Sequence, residues 1–300
     1  MKKYLSLIKF SHTIFAMPFA LIGFFLASKQ DNFEWITFLY VVLCMIFARS
    51  AAMAFNRYID RDIDKSNPRT AAVREIPNGS IKANSALIFV IINSLLFIGT
   101  TFLINTICFY LSPIALLVIL GYSYTKRFTA VCHLVLGLGL SLAPIGAYLA
   151  VSGKFDLIPI LFSVVVLFWV SGFDIIYSLQ DVDFDKDQKL HSIPVLLGKK
   201  NALTLSKTLH FLAILILSQI PNYGEFGLYF WIGFCVFSAL LVYQHTLVKE
   251  NDLSKVNLAF FTTNGIASII FGTFVILGKE FSAKNFLNVL VIVIVSKCIC

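Results

Sequence analysis

Long apolar stretches recur along the whole chain, and they restrict its fold more than any other feature. Nine of them approach the roughly 20 mostly apolar residues that a helix needs to cross a bilayer. They lie near residues 9–28, 35–55, 85–104, 106–122, 131–151, 155–177, 203–220, 226–246 and 258–277. Only 13% of the residues are charged, against about 25% in globular domains, which excludes an ordinary cytosolic enzyme. The sequence therefore predicts an all-α polytopic membrane protein in the lipid bilayer.

The two ends of the chain are less clear-cut. Lys9 and His12 interrupt an N-terminal stretch that otherwise resembles a signal peptide, so we interpret it as a retained first helix. A tenth apolar run, 285–296, is short for a span and is expected to lie at the interface or against the bundle. We predict one membrane domain over 1–280 and a short hydrophobic tail of unknown role over 281–300.

The basic residues predict the orientation. Of the 24 Lys and Arg, 18 lie in the N-terminus and alternate loops, and four lie in the loops and termini on the other side. Cytoplasmic loops carry the excess of Lys and Arg, so the N-terminus is expected in the cytoplasm. The net charge of +8 then records membrane orientation, and we expect no nucleic-acid partner. Nine of the 16 acids fall in two cytoplasmic regions, which places the predicted site at that face.

Two acidic stripes carry the expected chemistry. At about 100° per residue, the members of each stripe fall on one helix face: Arg49, Asn56, Asp60 and Asp64 on the first, and Asp174, Asp181 and Asp185 on the second. Carboxylates on one face repel each other unless a cation lies among them. Mg²⁺ suits such a site, since it takes one or two carboxylates and completes its shell with water and phosphate oxygens. The alternative is that these acids are solvated side chains near loops. That interpretation is favoured for an isolated pair of acids at helical spacing, and for Asp62, Asp183 and Asp187.

Basic residues follow the stripes in sequence: Arg69, Arg74, Lys126 and Arg127. Guanidinium and ammonium groups suit phosphate oxygens. The alternative is anchoring at the membrane surface, which for Arg74 is equally favoured. Arg49 lies inside a predicted span, where a charge indicates function by default.

Three motifs collect these residues: Asn56-x3-Asp60-x3-Asp64 with Arg69 after it, Tyr122-x3-Lys126-Arg127, and Asp174-x2-Tyr177-x3-Asp181-x3-Asp185. With them the sequence resembles the UbiA superfamily of intramembrane aromatic prenyltransferases over about residues 5–278. Residues 10–13 and 179–194 resemble its 4-hydroxybenzoate polyprenyltransferase-like branch. The resemblance implies nine transmembrane helices around a central cavity, with the acids beneath cytoplasmic cap loops, in a bacterial inner membrane.

The resemblance also implies an Mg²⁺-dependent transfer of a polyprenyl group from its diphosphate to an aromatic acid. It assigns the metal to Asn56, Asp60, Asp64, Asp181 and Asp185, and the diphosphate to Arg69, Lys126 and Arg127. Arg49 is expected to bind the acceptor carboxylate or a phosphate, and Asp174 and Tyr177 to orient the acceptor or stabilise the allylic cation. Many members have Asn-Asp where this chain has Asn56-Arg57. The acceptor stays open between 4-hydroxybenzoate, for ubiquinone, and a dihydroxynaphthoate, for menaquinone.

Other interpretations are weaker. An ion-coupled transporter holds its buried acids near the bilayer midplane, within related halves, whereas these acids lie at the ends of an odd number of spans. A scaffold protein does not require aligned acids. His133 and His191 are candidates for proton removal, but a structural hydrogen bond is favoured for each. The 30 Phe residues suit a prenyl tunnel and lipid contact alike.

Overall fold

The structure, a computed structural model, describes residues 2–8, 16–28 and 34–280. This part of the chain is helical and contains no β-strand. Its helices are α1 (Lys2–Leu7), α2 (Met17–Ala27), α3 (Trp35–Ile59), α4 (Arg61–Ser66), α5 (Ala83–Ile104), α6 (Thr106–Thr125), α7 (Cys132–Ser152), α8 (Leu157–Ser178), α9 (Val182–Asp187), α10 (Ile193–Gln219), α11 (Leu228–Leu247) and α12 (Asn264–Glu280). A π-helical turn, Leu258–Thr263, leads into α12.

Eight helices in the described ranges are long and apolar enough to cross a membrane, and they correspond to the second through ninth predicted spans. The all-α membrane fold is therefore confirmed there. The described part of the first predicted span, 9–28, forms α2, an apolar helix of 11 residues. Lys9 and His12 lie outside the described residues, as does the tail 281–300.

Small residues let the helices next to the site approach closely, as in other membrane bundles. A Cβ added at Gly137 of α7 would lie 2.5 Å from the carbonyl oxygen of Leu167 in α8. About two turns farther along α7, a Cβ on Gly23 of α2 would overlap the carbonyl of Pro144. Helices α2, α7 and α8 therefore form a tightly packed unit.

Aromatic rings fill the bundle between α2, α8, α11 and α12. Trp169 lies 5.3 Å from Phe19 and 5.5 Å from Phe237, measured between ring centroids, and Phe237 lies 5.3 Å from Phe271. All four side chains are fully buried. These Phe residues form packed core.

A closed ring of hydrogen bonds ties the same helices together. Trp169 Nε1 donates to Asn264 Oδ1 at 2.8 Å, and Asn264 Nδ2 donates to Gln244 Oε1 at 3.2 Å. Gln244 Nε2 lies 3.4 Å from His210 Nδ1, and His210 Nε2 donates to the carbonyl oxygen of Trp169 at 3.1 Å. The Asn264 amide also contacts the carbonyl of Phe260 at 3.0 Å. Buried polar groups paired in this way hold α8, α10, α11 and α12 in register.

Helices α3, α6 and α8 finish at the end of the bundle where α5, α7 and α10 begin. The sequence predicts each acidic stripe on one continuous helix face, and here the structure differs. The helix breaks at Asp60 (φ −88°, ψ 7°) and at Asp181 (φ −106°, ψ 5°). Because the amide of Asp64 still donates to the carbonyl of Asp60 at 2.7 Å, the acids stay about one turn apart across the first bend.

Candidate active site

A polar cleft opens at this end of the bundle. Its walls come from the residues after α3, the end of α6 and the turn after α8. The lining residues are Asp60, Ile63, Asp64, Asn67, Arg69, Thr70, Arg74, Lys126, Asp181 and Phe184. Three acids and three bases from distant parts of the chain therefore face one space.

Asp60 is held from two sides. Asn56 Nδ2, one turn earlier on α3, donates to Asp60 Oδ2 at 3.0 Å. Arg127 donates from Nη2 to the carbonyl oxygen of Ile59 at 2.7 Å and lies 3.4 Å from Asp60 Oδ1. Burial, together with the negative charge of Asp64, raises the pKa of Asp60 above its ordinary value. A cation beside this carboxyl would stabilise its charged form.

Asp64 is almost fully buried under the loop that follows α4. Its Oδ1 forms an ion pair with Arg74 Nη1, and its carbonyl accepts a hydrogen bond from Thr70 Oγ1 at 2.8 Å. Its Oδ2 is buried and has no hydrogen-bond partner among the described residues. One carboxylate oxygen at the cleft is thus left for a ligand.

Asp181 forms a two-point ion pair with the guanidinium group of Arg69. Arg69 donates from Nε to Oδ1 at 3.0 Å and from Nη2 to Oδ2 at 2.5 Å, while its Nη1 donates to the hydroxyl of Tyr177 at 3.1 Å. Burial opposes the charge of Arg69, but the hydrogen bond and charge of Asp181 outweigh it and raise the pKa of Arg69. Asn67 Nδ2 also donates to Asp181, at 3.3 Å. The ring of Phe260 packs on that of Tyr177, with centroids 4.2 Å apart.

Asp185 is completely buried, and Lys126 supplies its counter-charge. Lys126 Nζ lies 2.7 Å from Asp185 Oδ1, whereas Oδ2 has no hydrogen-bond partner in the described ranges. The carbonyl of Lys126 accepts a hydrogen bond from the amide of His191 at 2.8 Å, which fixes the end of α6 against the loop before α10. The His191 side chain itself is exposed.

Each of these four acids therefore faces one base: Asp60 with Arg127, Asp64 with Arg74, Asp181 with Arg69, and Asp185 with Lys126. Within the described residues, no three His, Cys, Asp or Glu side chains are grouped as a metal site. Mg²⁺ does not require such a cage, since it binds through one or two carboxylates together with water and substrate phosphates. The orphan oxygens of Asp64 and Asp185 fit Mg²⁺ that arrives with a diphosphate.

A second group of charges lies deeper in the bundle. The Nε atoms of Arg49 and Arg57 are buried and have no hydrogen-bond partner within the described part of the chain. Tyr122 of α6 interacts electrostatically with both of them and with Asp174 of α8. Guanidinium nitrogens without partners near a phenol and a carboxylate would stabilise an anionic group of a ligand.

The predicted residues thus fall into three positions. Those that line the cleft are Asp60, Asp64, Arg69, Lys126 and Asp181. Those that contact a lining residue are Asn56, Arg127, Tyr177 and Asp185. Arg49 and Asp174 lie in the deeper group. Asp62, Asp183 and Asp187 are exposed, as predicted.

Two polar residues that line the cleft, Asn67 and Thr70, are not among the predicted site residues. Asn67 before Pro68 indicates only a turn, and Thr70 follows Arg69 in the first motif without an assigned role. Arg74, for which anchoring was equally favoured, pairs with Asp64. His133 was expected to form a structural hydrogen bond, and the structure supplies its partner: Nδ1 lies 2.7 Å from Asp174 Oδ2.

Known proteins share this sequence pattern. The chain matches the UbiA prenyltransferase family over residues 16–266. It is 29% identical over 240 residues to the 4-hydroxybenzoate octaprenyltransferase of Aeromonas hydrophila, covering 80% of this chain and 83% of that protein. It is 31% identical over 244 residues to the 4-hydroxybenzoate octaprenyltransferase of Aliivibrio fischeri, covering 79% and 82%.

Solved structures share the fold. The apo structure of a UbiA homolog from Aeropyrum pernix superimposes with a TM-score of 0.79 at 32% identity, covering 89% of this chain and 97% of that one. A UbiA homolog from Archaeoglobus fulgidus bound to DMAPP and Mg²⁺ has a TM-score of 0.75 at 21% identity, covering 93% and 99%. At that lower identity the likeness concerns the fold alone.

Proposed function

The chain belongs to the UbiA prenyltransferase family, and we propose that it transfers a polyprenyl group from polyprenyl diphosphate to an aromatic acid in quinone biosynthesis. We propose 4-hydroxybenzoate as the acceptor, because relatives about 30% identical carry that substrate in their names. A dihydroxynaphthoate is the second candidate, since the same chemistry serves either ring. The observation that carries the proposal is the cleft where acids and bases from three helix ends meet.

The membrane arrangement is part of the same proposal. We propose nine spans, with residues 9–28 as the first, around a central cavity capped by cytoplasmic loops. The N-terminus and the cleft would face the cytoplasm of a bacterium whose inner membrane holds the protein. The excess of basic residues in alternate loops supports this orientation. Residues 1–280 would form the membrane domain, and the role of 281–300 is left open.

We propose that Asn56, Asp60, Asp64, Asp181 and Asp185 hold Mg²⁺. The buried carboxylate oxygens without partners and the raised pKa of Asp60 support this assignment. When bound, Mg²⁺ would neutralise charge on the diphosphate as it leaves.

In the proposed function, the bases interact first with the acids of the cleft and then with the diphosphate. In the structure, Arg69, Lys126 and Arg127 form ion pairs with the acids. A guanidinium fork matches phosphate oxygens as well as carboxylate oxygens, so these groups can turn to the diphosphate without a large movement. Positive charge placed in advance around the departing diphosphate is the main contribution of the protein to catalysis.

The deeper group provides the proposed acceptor site. Arg49, whose Nε has no partner among the described residues, is suited to bind the carboxylate of the aromatic acid or a phosphate. Asp174 and Tyr177 lie one helical turn apart on α8 and are proposed to orient the acceptor or stabilise the allylic cation. The aromatic ring would then lie between the deeper charges and the diphosphate.

The experiment uses the purified protein in detergent with a polyprenyl diphosphate, Mg²⁺ and a panel of aromatic acids. We expect a prenylated product that requires Mg²⁺ and is lost in Asp60→Ala and Asp181→Ala. Asp62→Ala and Asp183→Ala are matched controls, because their side chains are 85% and 88% exposed. Absence of product with every acceptor, or equal loss in the control variants, would refute the proposal.

A further inference from the structure

His133 and Asp174 form a buried contact between the start of α7 and the second half of α8. His133 Nδ1 lies 2.7 Å from Asp174 Oδ2, and the His133 side chain is 4% exposed. On its other side, His133 Nε2 accepts a hydrogen bond from the amide of Ile193 at 3.4 Å. These two partners come from elements that are 41 and 60 residues away from His133 in sequence.

The partners determine where the proton of the imidazole lies. The backbone amide of Ile193 is only a donor, so Nε2 must be the accepting nitrogen. Nδ1 then carries the hydrogen and donates it to Asp174 Oδ2. This donated hydrogen bond fixes one oxygen of the Asp174 carboxyl group.

The second carboxyl oxygen of Asp174, Oδ1, does not take part in the contact with His133. Among the described residues, no group donates a hydrogen bond to Oδ1, and the Asp174 side chain is 21% exposed. Asp174 lies in α8, seven residues before Asp181, and the 3₁₀ turn Leu179–Asp181 comes between them. At about 1.5–2 Å per residue, the two are separated by roughly 10–14 Å along the chain axis. That separation accommodates an aromatic ring between the carboxylate and the cleft.

On the basis of the proposed function, we propose that His133 is a positioning residue that fixes Asp174 as the acceptor of the ring proton. In the step concerned, an electron pair of the ring forms the bond to the allylic carbon, and the carbon–oxygen bond to the diphosphate breaks with its electrons on the diphosphate. The proton on the attacked ring carbon passes to Asp174 Oδ1, and the electrons of that carbon–hydrogen bond restore the aromatic ring. His133 holds Oδ2 and so keeps Oδ1 in place.

The test compares His133→Leu with His133→Asn. Leu has a similar shape without a donor, whereas the Asn amide nitrogen occupies the place of Nδ1 and can still donate to Asp174. Both variants lose the Nε2 contact with Ile193, so that loss cancels in the comparison. We expect His133→Leu to lower kcat by about tenfold to a hundredfold. The KM for prenyl diphosphate should stay within about twofold of that of the unaltered protein, and His133→Asn should recover most of kcat.

A double variant distinguishes positioning from a general loss of structure. If His133 acts through Asp174, adding His133→Leu to Asp174→Asn should lower kcat no further than Asp174→Asn alone. Should His133→Leu not fold, His133→Gln replaces it, because its amide lies near the Nε2 position and leaves Asp174 without a donor. Equal kcat in the Leu or Gln variant and the unaltered protein, or an Asn variant as slow as the Leu variant, would overturn the proposal. Failure of the proposed function is distinct, because the unaltered protein would then form no prenylated product.

Discussion

The ion pair between Arg74 and Asp64 gives a quantitative test of how the cleft is held together without ligands. The Asp64 side chain is 6% exposed and that of Arg74 20%. Replacing one partner leaves a buried charge unpaired, which typically costs about 3–5 kcal/mol. Because Arg74 retains some contact with water, we take about 3 kcal/mol for Arg74→Met. At about 2–4 °C per kcal/mol for a large domain, Tm should fall by roughly 6–12 °C.

The assay is thermal unfolding in detergent with a chelator, so that no divalent cation replaces the lost guanidinium. Lys199→Met is the matched control, because Lys199 and Asp183 lie 4.0 Å apart and the Asp183 side chain is 88% exposed. Such surface pairs contribute below about 1 kcal/mol. The double variant Asp64→Asn with Arg74→Met should lose less than Arg74→Met alone, since no unpaired charge remains. An Arg74→Met effect equal to that of Lys199→Met, or strictly additive losses in the double variant, would refute this reasoning.

Three further predictions concern other parts of the structure. Arg69→Lys keeps the positive charge but loses the paired contact with Asp181. The KM for prenyl diphosphate should rise about tenfold, as expected for the loss of one charged hydrogen bond of about 1.5 kcal/mol. An unchanged KM in initial-rate kinetics would contradict this prediction. Asn264→Leu breaks the buried ring and should lower Tm by roughly 4–8 °C, or about 2 kcal/mol, whereas Asn201→Leu at an exposed position of α10 should not. Because burial raises the pKa of Asp60, protons should compete with Mg²⁺ at a higher pH than they do for an exposed Asp. As the pH is lowered, the Mg²⁺ concentration for half-maximal activity should therefore begin to rise while the pH is still above the ordinary Asp pKa of about 3.9. A Mg²⁺ requirement that does not change until the pH reaches that ordinary value would contradict this prediction.

Most of the fold can be predicted from the sequence, because the length of an apolar stretch alone identifies a membrane-spanning helix. Eight predicted spans agree with the described helices to within a few residues at most ends. The largest difference is α10, which begins at Ile193 rather than near 203 and is kinked at Gly198, where φ is 76° and ψ is 161°. Polar residues such as Lys199 and Asn201 lower the hydropathy of its first turns without preventing helix formation, since backbone hydrogen bonds do not depend on apolar side chains.

The residues of the candidate site can be predicted from the sequence only in part. Asp60, Asp64, Asp181 and Asp185 are identifiable because acids are scarce in an apolar chain and these repeat at helical spacing. Arg69 and Arg74 meet their acids because the loop from 67 to 81 folds back over the cleft. The other two bases meet theirs because α6 ends beside the cleft, and helical periodicity specifies neither arrangement. The partner of His133 is likewise set by the packing of α7 on α8, which brings Asp174 within hydrogen-bonding distance.

Binding of the donor can be measured separately from turnover with a prenyl S-thiodiphosphate, in which a carbon–sulfur bond that resists ionisation replaces the carbon–oxygen bond of the diphosphate. Titration into the purified protein should give saturable binding with Mg²⁺ and much weaker binding with a chelator. Asp181→Asn should lose the Mg²⁺-dependent part, while Asp183→Asn, at an exposed position on the same segment, should keep it. Binding of equal strength with and without Mg²⁺, or equal binding by both variants, would contradict the assignment of the cleft as the Mg²⁺–diphosphate site.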